Sequence, residues 1–189
     1  MTPSKQLLTP LIWAALMTFL KCHISFDFLK QPLPDISKFY SKDSIIWTVN
    51  TTAQTSIFCK VDLVNTTTEN YTDFLRCYFS GNNFTKTNLR GNFIRLDYLR
   101  QGANVYDAMM VGPKDGPATW TEQLDYVYGN YTCGIFKVSP AHGSGGSHYE
   151  VRVKNSSIEH PNSSCVTQFQ KISKRMTVKT IYNHSCQNT

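Results

Sequence analysis

A chain of 189 residues, 41% hydrophobic and 17% charged, with 19 Lys and Arg against 13 Asp and Glu, is long enough for one domain with a proper core and too short for two comfortable ones. Its basic residues are scattered, as at Arg76, Arg90, Arg95, Arg100 and Arg152, and cluster only over residues 171–175. That pattern suits a solvated helix face and argues against a nucleic-acid partner.

The first 22 residues carry Lys5, an apolar run from Leu7 to Leu20 broken by Pro10, and a polar step at Lys21 and Cys22. This is the plan of a secretory signal peptide, and the run falls short of the ~20 apolar residues that a membrane-spanning helix needs. Residues 23–189 are therefore expected as a single mature domain, secreted, with no membrane attachment. Asn50, Asn65, Asn70, Asn83, Asn130, Asn155, Asn162 and Asn183 each open an N-x-Ser/Thr sequon, which fits a glycosylated extracellular protein.

In chain order, Pro34 to Tyr40 has a short helical look with Asp35 as an N-cap. From residue 44 the hydrophobic period is two: 44–52, 56–64, 73–81, 91–100, 104–112, 120–129, 131–139 and 148–155 are eight runs rich in aromatic and β-branched residues, separated by Asn, Gly, Thr and Pro. Residues 163–176 then offer Ser163 or Ser164 as a cap and apolar Val166, Phe169 and Ile172 at helical spacing. Eight strands with short connections indicate an up-and-down antiparallel barrel, with a two-sheet sandwich as the competing all-β answer. Pairing of the first strand with the last would decide for the barrel.

Catalytic signals are weak. His23, His142, His148, His160 and His184 make no H-x-x-x-H spacing, and the cysteines make no C-x-x-C. There is no Gly-rich phosphate loop and no G-x-S-x-G elbow, and the Gly/Ser run at 142–148 reads as a hairpin connection. No enzyme activity, metal or cofactor is expected.

An eight-stranded barrel is just wide enough to hold one small ligand, so inward polar side chains are the candidate site. Asp107 alternates with apolar neighbours in the run 104–112 and is the candidate extra inward carboxylate, with Tyr106 on the other face. Trp47 and Trp120 serve either as barrel-plugging core or as ligand contacts. On the run 148–153, His148, Glu150 and Arg152 share one face against Tyr149, Val151 and Val153, an alternation that by itself places the charged set in solvent.

The order of a short helix, Trp47, Cys59, Cys133-Gly134-Ile135, Tyr149-Glu150-Val151, Cys165, a helix, and Tyr182-Asn183-His184-Ser185-Cys186 resembles the tick salivary lipocalins of the histamine-binding family. The resemblance covers nearly the whole mature chain. It implies a secreted eight-stranded barrel with a helix packed on its wall, capturing a small host inflammatory mediator: an amine such as histamine or serotonin, or an eicosanoid. A rival within the same fold is a lipocalin that inhibits a host protein through its loops. The resemblance also implies the disulfides Cys59–Cys186 and Cys133–Cys165, leaving Cys77 either buried or bridging to another chain.

Amine-binding members of that family are similar in carrying Cys-Asp, then Glu-Leu with an aromatic residue. Here Glu150 matches the carboxylate, while Gly134 stands in place of the Asp and Arg152 in place of the ring. Losing a carboxylate and gaining a guanidinium disfavours a buried ammonium. Glu150 and Arg152 could neutralise each other, or Arg152 could grip a ligand carboxylate with its forked donors. The candidate ligand-binding set is Glu150, Arg152, Asp107, Trp47, Trp120 and Tyr106.

Overall fold

A computed structural model describes residues 32–96, 105–142 and 145–188. The expected signal peptide at residues 1–22, the end of the run 91–100, and Gly143 and Ser144 of the 142–148 connection lie outside the described residues.

Helix α1 (Ile36–Phe39) begins at Asp35, whose carboxylate accepts the Ser37 amide, the capping role its position predicts. Eight antiparallel strands follow: β1 (Ile45–Thr51), β2 (Ile57–Thr67), β3 (Tyr71–Ser80), β4 (Asn83–Ile94), β5 (Ala108–Pro113), β6 (Trp120–Tyr128), β7 (Cys133–Pro140) and β8 (His148–Lys154). Each pairs with its neighbour in sequence, and β1 pairs both with β2 and with β8. That last pairing closes the barrel and rules out the sandwich. Helix α2 (Ser163–Ile172) packs on β6, β7 and β8, and a short strand β9 (Lys179–Thr180) adds to β1.

Four expectations need correction. The fourth strand starts at Asn83, eight residues before the predicted run, because the Gly81-Asn82 turn, with Gly81 at φ 58°, closes a tight hairpin with β3. Tyr106 and Asp107 precede β5 and do not lie on it. The cap of α2 is Asn162, whose side chain accepts from the amides of Ser164 and Cys165, rather than either serine. On α2 the buried face is Cys165 and Phe169, and Val166 is exposed. Strand β9 was not legible at all: two exposed residues carry no periodicity.

Apolar side chains divide into two clusters separated by the barrel wall. Inside, Ile36, Phe39 and Tyr40 of the α1 region pack with Ile46, Val64, Phe74, Phe93, Met109, Leu124 and Phe136. They fill the end of the barrel that carries the β2–β3, β4–β5 and β6–β7 connections. Outside, Trp47, Val61, Ile135, Val151 and Val153 are covered by Ile158, Phe169 and Tyr182. Two disulfides, Cys59–Cys186 and Cys133–Cys165, fasten this cover to the wall. Cys77 is free and buried, and burial pushes its thiol up from the ordinary value.

Because α2 and the tail cover the outer face of β8, its apolar residues Val151 and Val153 point outward and its polar residues inward. The alternation is the reverse of the usual apolar-in pattern. A β-bulge on β2 between Phe58 and Val61 has a matching effect. It places an extra residue at Cys59, with φ 51°, so that Cys59 reaches the tail outside while Lys60 faces the interior.

Candidate functional site: a charged floor beneath an open cavity

The end of the barrel opposite α1, where the β1–β2, β3–β4, β5–β6 and β7–β8 connections converge, holds a cavity of about 590 Å³. This is within the range of small-ligand sites. Its walls include Ile57, Leu89, Val111, Pro113, Trp120 and Val138, and its polar lining includes Lys60, Arg76, Tyr78, Glu122, His148 and Glu150.

Beneath the cavity lies a network of three cations and three carboxylates. Lys60 Nζ donates to both oxygens of Glu150 at 2.7 and 3.0 Å. Arg76 donates to both oxygens of Asp62 at 2.7 and 2.8 Å, and to Glu122 Oε1 at 2.8 Å. Arg152, which has no solvent-exposed surface, donates to Glu122, to Glu150 and to the Tyr40 hydroxyl. Tyr40 in turn donates to Asp62 at 2.7 Å, so the residue after α1 is tied to the floor of the site. His148 Nε2 lies 3.4 Å from Glu150 Oε1.

Cross-strand register produces this arrangement. Asp62 and Arg76 are directly opposite on β2 and β3, Glu150 faces Thr51 of β1, and Arg152 faces Thr48. Among the described residues no buried side-chain nitrogen or oxygen lacks a hydrogen-bond partner, the condition under which buried ions are tolerated.

Burial alone would raise the carboxyls of Glu150 and Glu122. The charges of Lys60 and Arg152 on the first, and of Arg152 and Arg76 on the second, overcome it and hold both below the ordinary carboxylate value of 4.5. Lys60 behaves differently. Burial lowers its ammonium from the ordinary 10.5, Glu150 only partly offsets this, and the like charges of Arg76 and Arg152 add to the lowering. The Tyr40 phenol is raised well above 10.0, chiefly by burial.

A group whose acidity is strengthened by folding stabilises the fold only while it is ionised. The contribution of Glu122 and Glu150 is thus complete above pH 4.5 and is lost as the pH falls below it toward their folded values. The urea midpoint is therefore expected to fall between pH 7 and pH 3.5, and to fall less in a Glu122→Gln variant. Equal falls in both proteins would show that the floor carboxylates are not responsible.

Of the six residues the sequence suggests, Glu150 and Trp120 line the cavity, the latter 40% exposed at its rim. Arg152 lies below it with its donors already engaged. The other three sit elsewhere. Trp47 is on the outer wall, packed on Tyr182 and donating to Asn155 Oδ1 at 2.9 Å. Tyr106 stacks on Phe93 at the closed end. Asp107, also there, accepts the Leu96 amide at 2.8 Å.

Lys60, Arg76, Glu122, Asp62 and His148 were missed. For His148 the signal was its place two residues before Glu150 on the same strand face; for the other four it was a shared inward register with Glu150, which a single sequence does not reveal before the strands are paired.

Gly134 lies opposite Arg152 on β7. A Cβ added there would come within 2.8 Å of both Leu124 Cδ1 and Phe39 Cε2. The place where a carboxylate would help to hold an ammonium is filled by the aromatic plug of the closed end.

The tick histamine-binding protein family matches residues 64–188 of this chain. No curated protein sequence matches. Among solved structures the chain is similar to AM182 in complex with serotonin, with 17% identity, a TM-score of 0.59, and coverage of 83% of this chain and 95% of that one. It is also similar to Japanin from Rhipicephalus appendiculatus bound to cholesterol, with 10% identity, a TM-score of 0.51, and coverage of 82% and 99%. A bovine odorant-binding protein variant is 11% identical, with a TM-score of 0.50 and coverage of 77% and 98%. At these identities the structures attest the lipocalin fold alone. The closed eight-stranded barrel with its wall helix and the family match over most of the chain lead to one conclusion: this protein belongs to the tick histamine-binding protein family of lipocalins.

Proposed function

We propose that this protein loses a leader at residues 1–22, is secreted as a glycosylated single-domain lipocalin, and captures a small host inflammatory mediator by stoichiometric binding, without turnover. Within the two mediator classes, amines and eicosanoids, we favour a lipid-derived carboxylic acid. The observation that carries this reading is the asymmetry of the cavity floor. Both cavity carboxylates, Glu122 and Glu150, are already paired with cations, whereas Lys60 reaches the cavity hydrogen-bonded to Glu150 alone. Its ammonium is still disfavoured by burial and by the like charges of Arg76 and Arg152, which the attraction of Glu150 and Glu122 offsets only in part.

An incoming carboxylate relieves Lys60. An incoming ammonium must displace it from Glu150. The apolar walls from Ile57 to Val138 suit a hydrocarbon tail, and Trp120 at the rim can close over it. Glu150 and Trp120 keep their candidate roles as ligand contacts, and Arg152 becomes a positioning residue beneath them. The amine reading is sustained by the family's description and by the serotonin bound to AM182. A host protein engaged through the loops is the remaining alternative.

Calorimetric titration with arachidonic acid, leukotriene C4, histamine and serotonin separates these readings. The acids are expected to bind, and Lys60→Met to weaken them about 10- to 100-fold, the value of one charge-assisted hydrogen bond of roughly 1.5–3 kcal/mol. Tight amine binding with no acid binding would overturn the lipid reading. Silence across the panel would overturn small-molecule capture in favour of a protein partner.

A further inference from the structure

The charge of this chain is distributed unevenly. Residues 23–159 carry thirteen Lys and Arg and thirteen Asp and Glu; residues 160–189 carry Lys171, Lys174, Arg175 and Lys179 and no acidic residue. The basic excess of the chain beyond residue 22 therefore lies wholly in the segment that covers the outer wall. All four of these cations are exposed, and none takes part in an ion pair among the described residues.

Their placement is constrained at both ends. Cys165 and Cys186 bracket the segment, each disulfide-bonded to the barrel wall. The helical turn continues past α2, with the Ser173 amide donating to Phe169 O, which places Lys171 beside Lys174 and Arg175 at spacings of three and four. Lys179 is on β9, held against β1, and its Nζ donates to Thr55 O. One cation in the last turn of α2 would suffice to meet the helix dipole. Three at helical spacing repel one another, and no acidic side chain in the segment offsets that repulsion.

We propose that this stapled basic face binds a sulfated glycosaminoglycan, independently of the barrel cavity. Because its backbone is fastened before any partner arrives, little ordering is needed on binding. Lys171, Lys174 and Arg175, three and four residues apart on one turn, lie within a Debye length of one another and act together on a polyanion, and Lys179 extends the same acid-free segment. A lipid surface fits less well. The exposed apolar side chains here are Val166, Met176 and Val178, with no exposed aromatic ring, whereas interfacial segments present a broad apolar face with aromatic residues.

The test uses the mature, glycosylated, disulfide-bonded protein. Its retention on immobilised heparin is measured against NaCl, beside flotation with vesicles containing phosphatidylserine. The patch variant carries Lys171→Gln, Lys174→Gln, Arg175→Gln and Lys179→Gln. The control variant removes four cations elsewhere, with Lys38→Gln, Lys42→Gln, Lys86→Gln and Lys114→Gln.

The expected result is retention of the wild type and the control, and elution of the patch variant at much lower NaCl with a log–log salt slope smaller by about three to four, roughly one per phosphate- or sulfate-neutralising cation removed. Urea unfolding of the patch variant checks that it is folded. Equal weakening in both variants would overturn the proposal by showing a response to net charge alone. Absence of heparin retention would overturn it as well, as would vesicle binding that depends on the patch without heparin binding. None of these outcomes bears on the cavity ligand.

Discussion

Arg152→Leu is expected to destabilise the fold by about 3–5 kcal/mol, the cost of removing one partner from a buried ion network, and urea unfolding at pH 7 measures it. Arg152 is wholly buried and touches two carboxylates and the Tyr40 hydroxyl. Without it, Glu122 retains Arg76 and Glu150 retains Lys60, but three carboxylates then face two cations in the buried floor of the cavity. The uncompensated charge, not the lost contacts, dominates the loss.

A second variant isolates that claim. Arg152→Leu combined with Glu122→Leu leaves the pairs Lys60–Glu150 and Arg76–Asp62, again balanced, and should recover a kilocalorie or more of the roughly additive loss. A single-variant loss below about 1 kcal/mol would mean that water reaches Arg152. Additivity in the double variant would mean that Glu122 and Arg152 are not energetically paired.

Removal of the Cys59–Cys186 bridge by paired serine substitutions carries the other large effect. The bridge closes a sequence separation of 127 residues, which in the chain-entropy description stabilises by up to about 5 kcal/mol, against about 4 for the 32-residue separation of Cys133–Cys165. The consequence is also local. The tail is held by two backbone hydrogen bonds at Ile181, one from the Cys59 amide and one to Val49, and by Tyr182 packed on Trp47.

Ile181 lines the cavity. Loss of this bridge should therefore lower the thermal midpoint and weaken cavity binding together, whereas loss of Cys133–Cys165, which anchors α2, should lower the midpoint with less effect on the ligand. Calorimetry and thermal unfolding on both variants check this. Unchanged ligand affinity without Cys59–Cys186 would show that the tail does not shape the cavity.

The eight barrel strands (save the first half of β4), the Asp35 cap and the wall helix were legible in the sequence because each is encoded locally, by a two-residue period, by an acceptor ahead of a short helix, or by apolar residues three apart. The likeness to the histamine-binding lipocalins was legible too, since cysteine order survives when chemistry changes, as at Gly134 and Arg152. Which way a strand faces was not. The polar set of β8 would point to water in an isolated sheet, and it points inward only because α2 and a disulfide-stapled tail cover the opposite face.

Trp47, taken by itself as a barrel residue, belongs to that outer cover for the same reason. Lys60 turns inward through a bulge that no periodicity announces, and Glu122, Arg76 and Asp62 gain their meaning only from partners 14 to 46 residues away. Local pattern thus determined an all-β chain of eight barrel strands and cysteine order its likeness to the family, while the pairing of β1 with β8 closed the barrel. Tertiary structure alone decided the chemistry of the cavity floor, because a buried charge is tolerated only where folding brings its counter-charge within hydrogen-bonding distance.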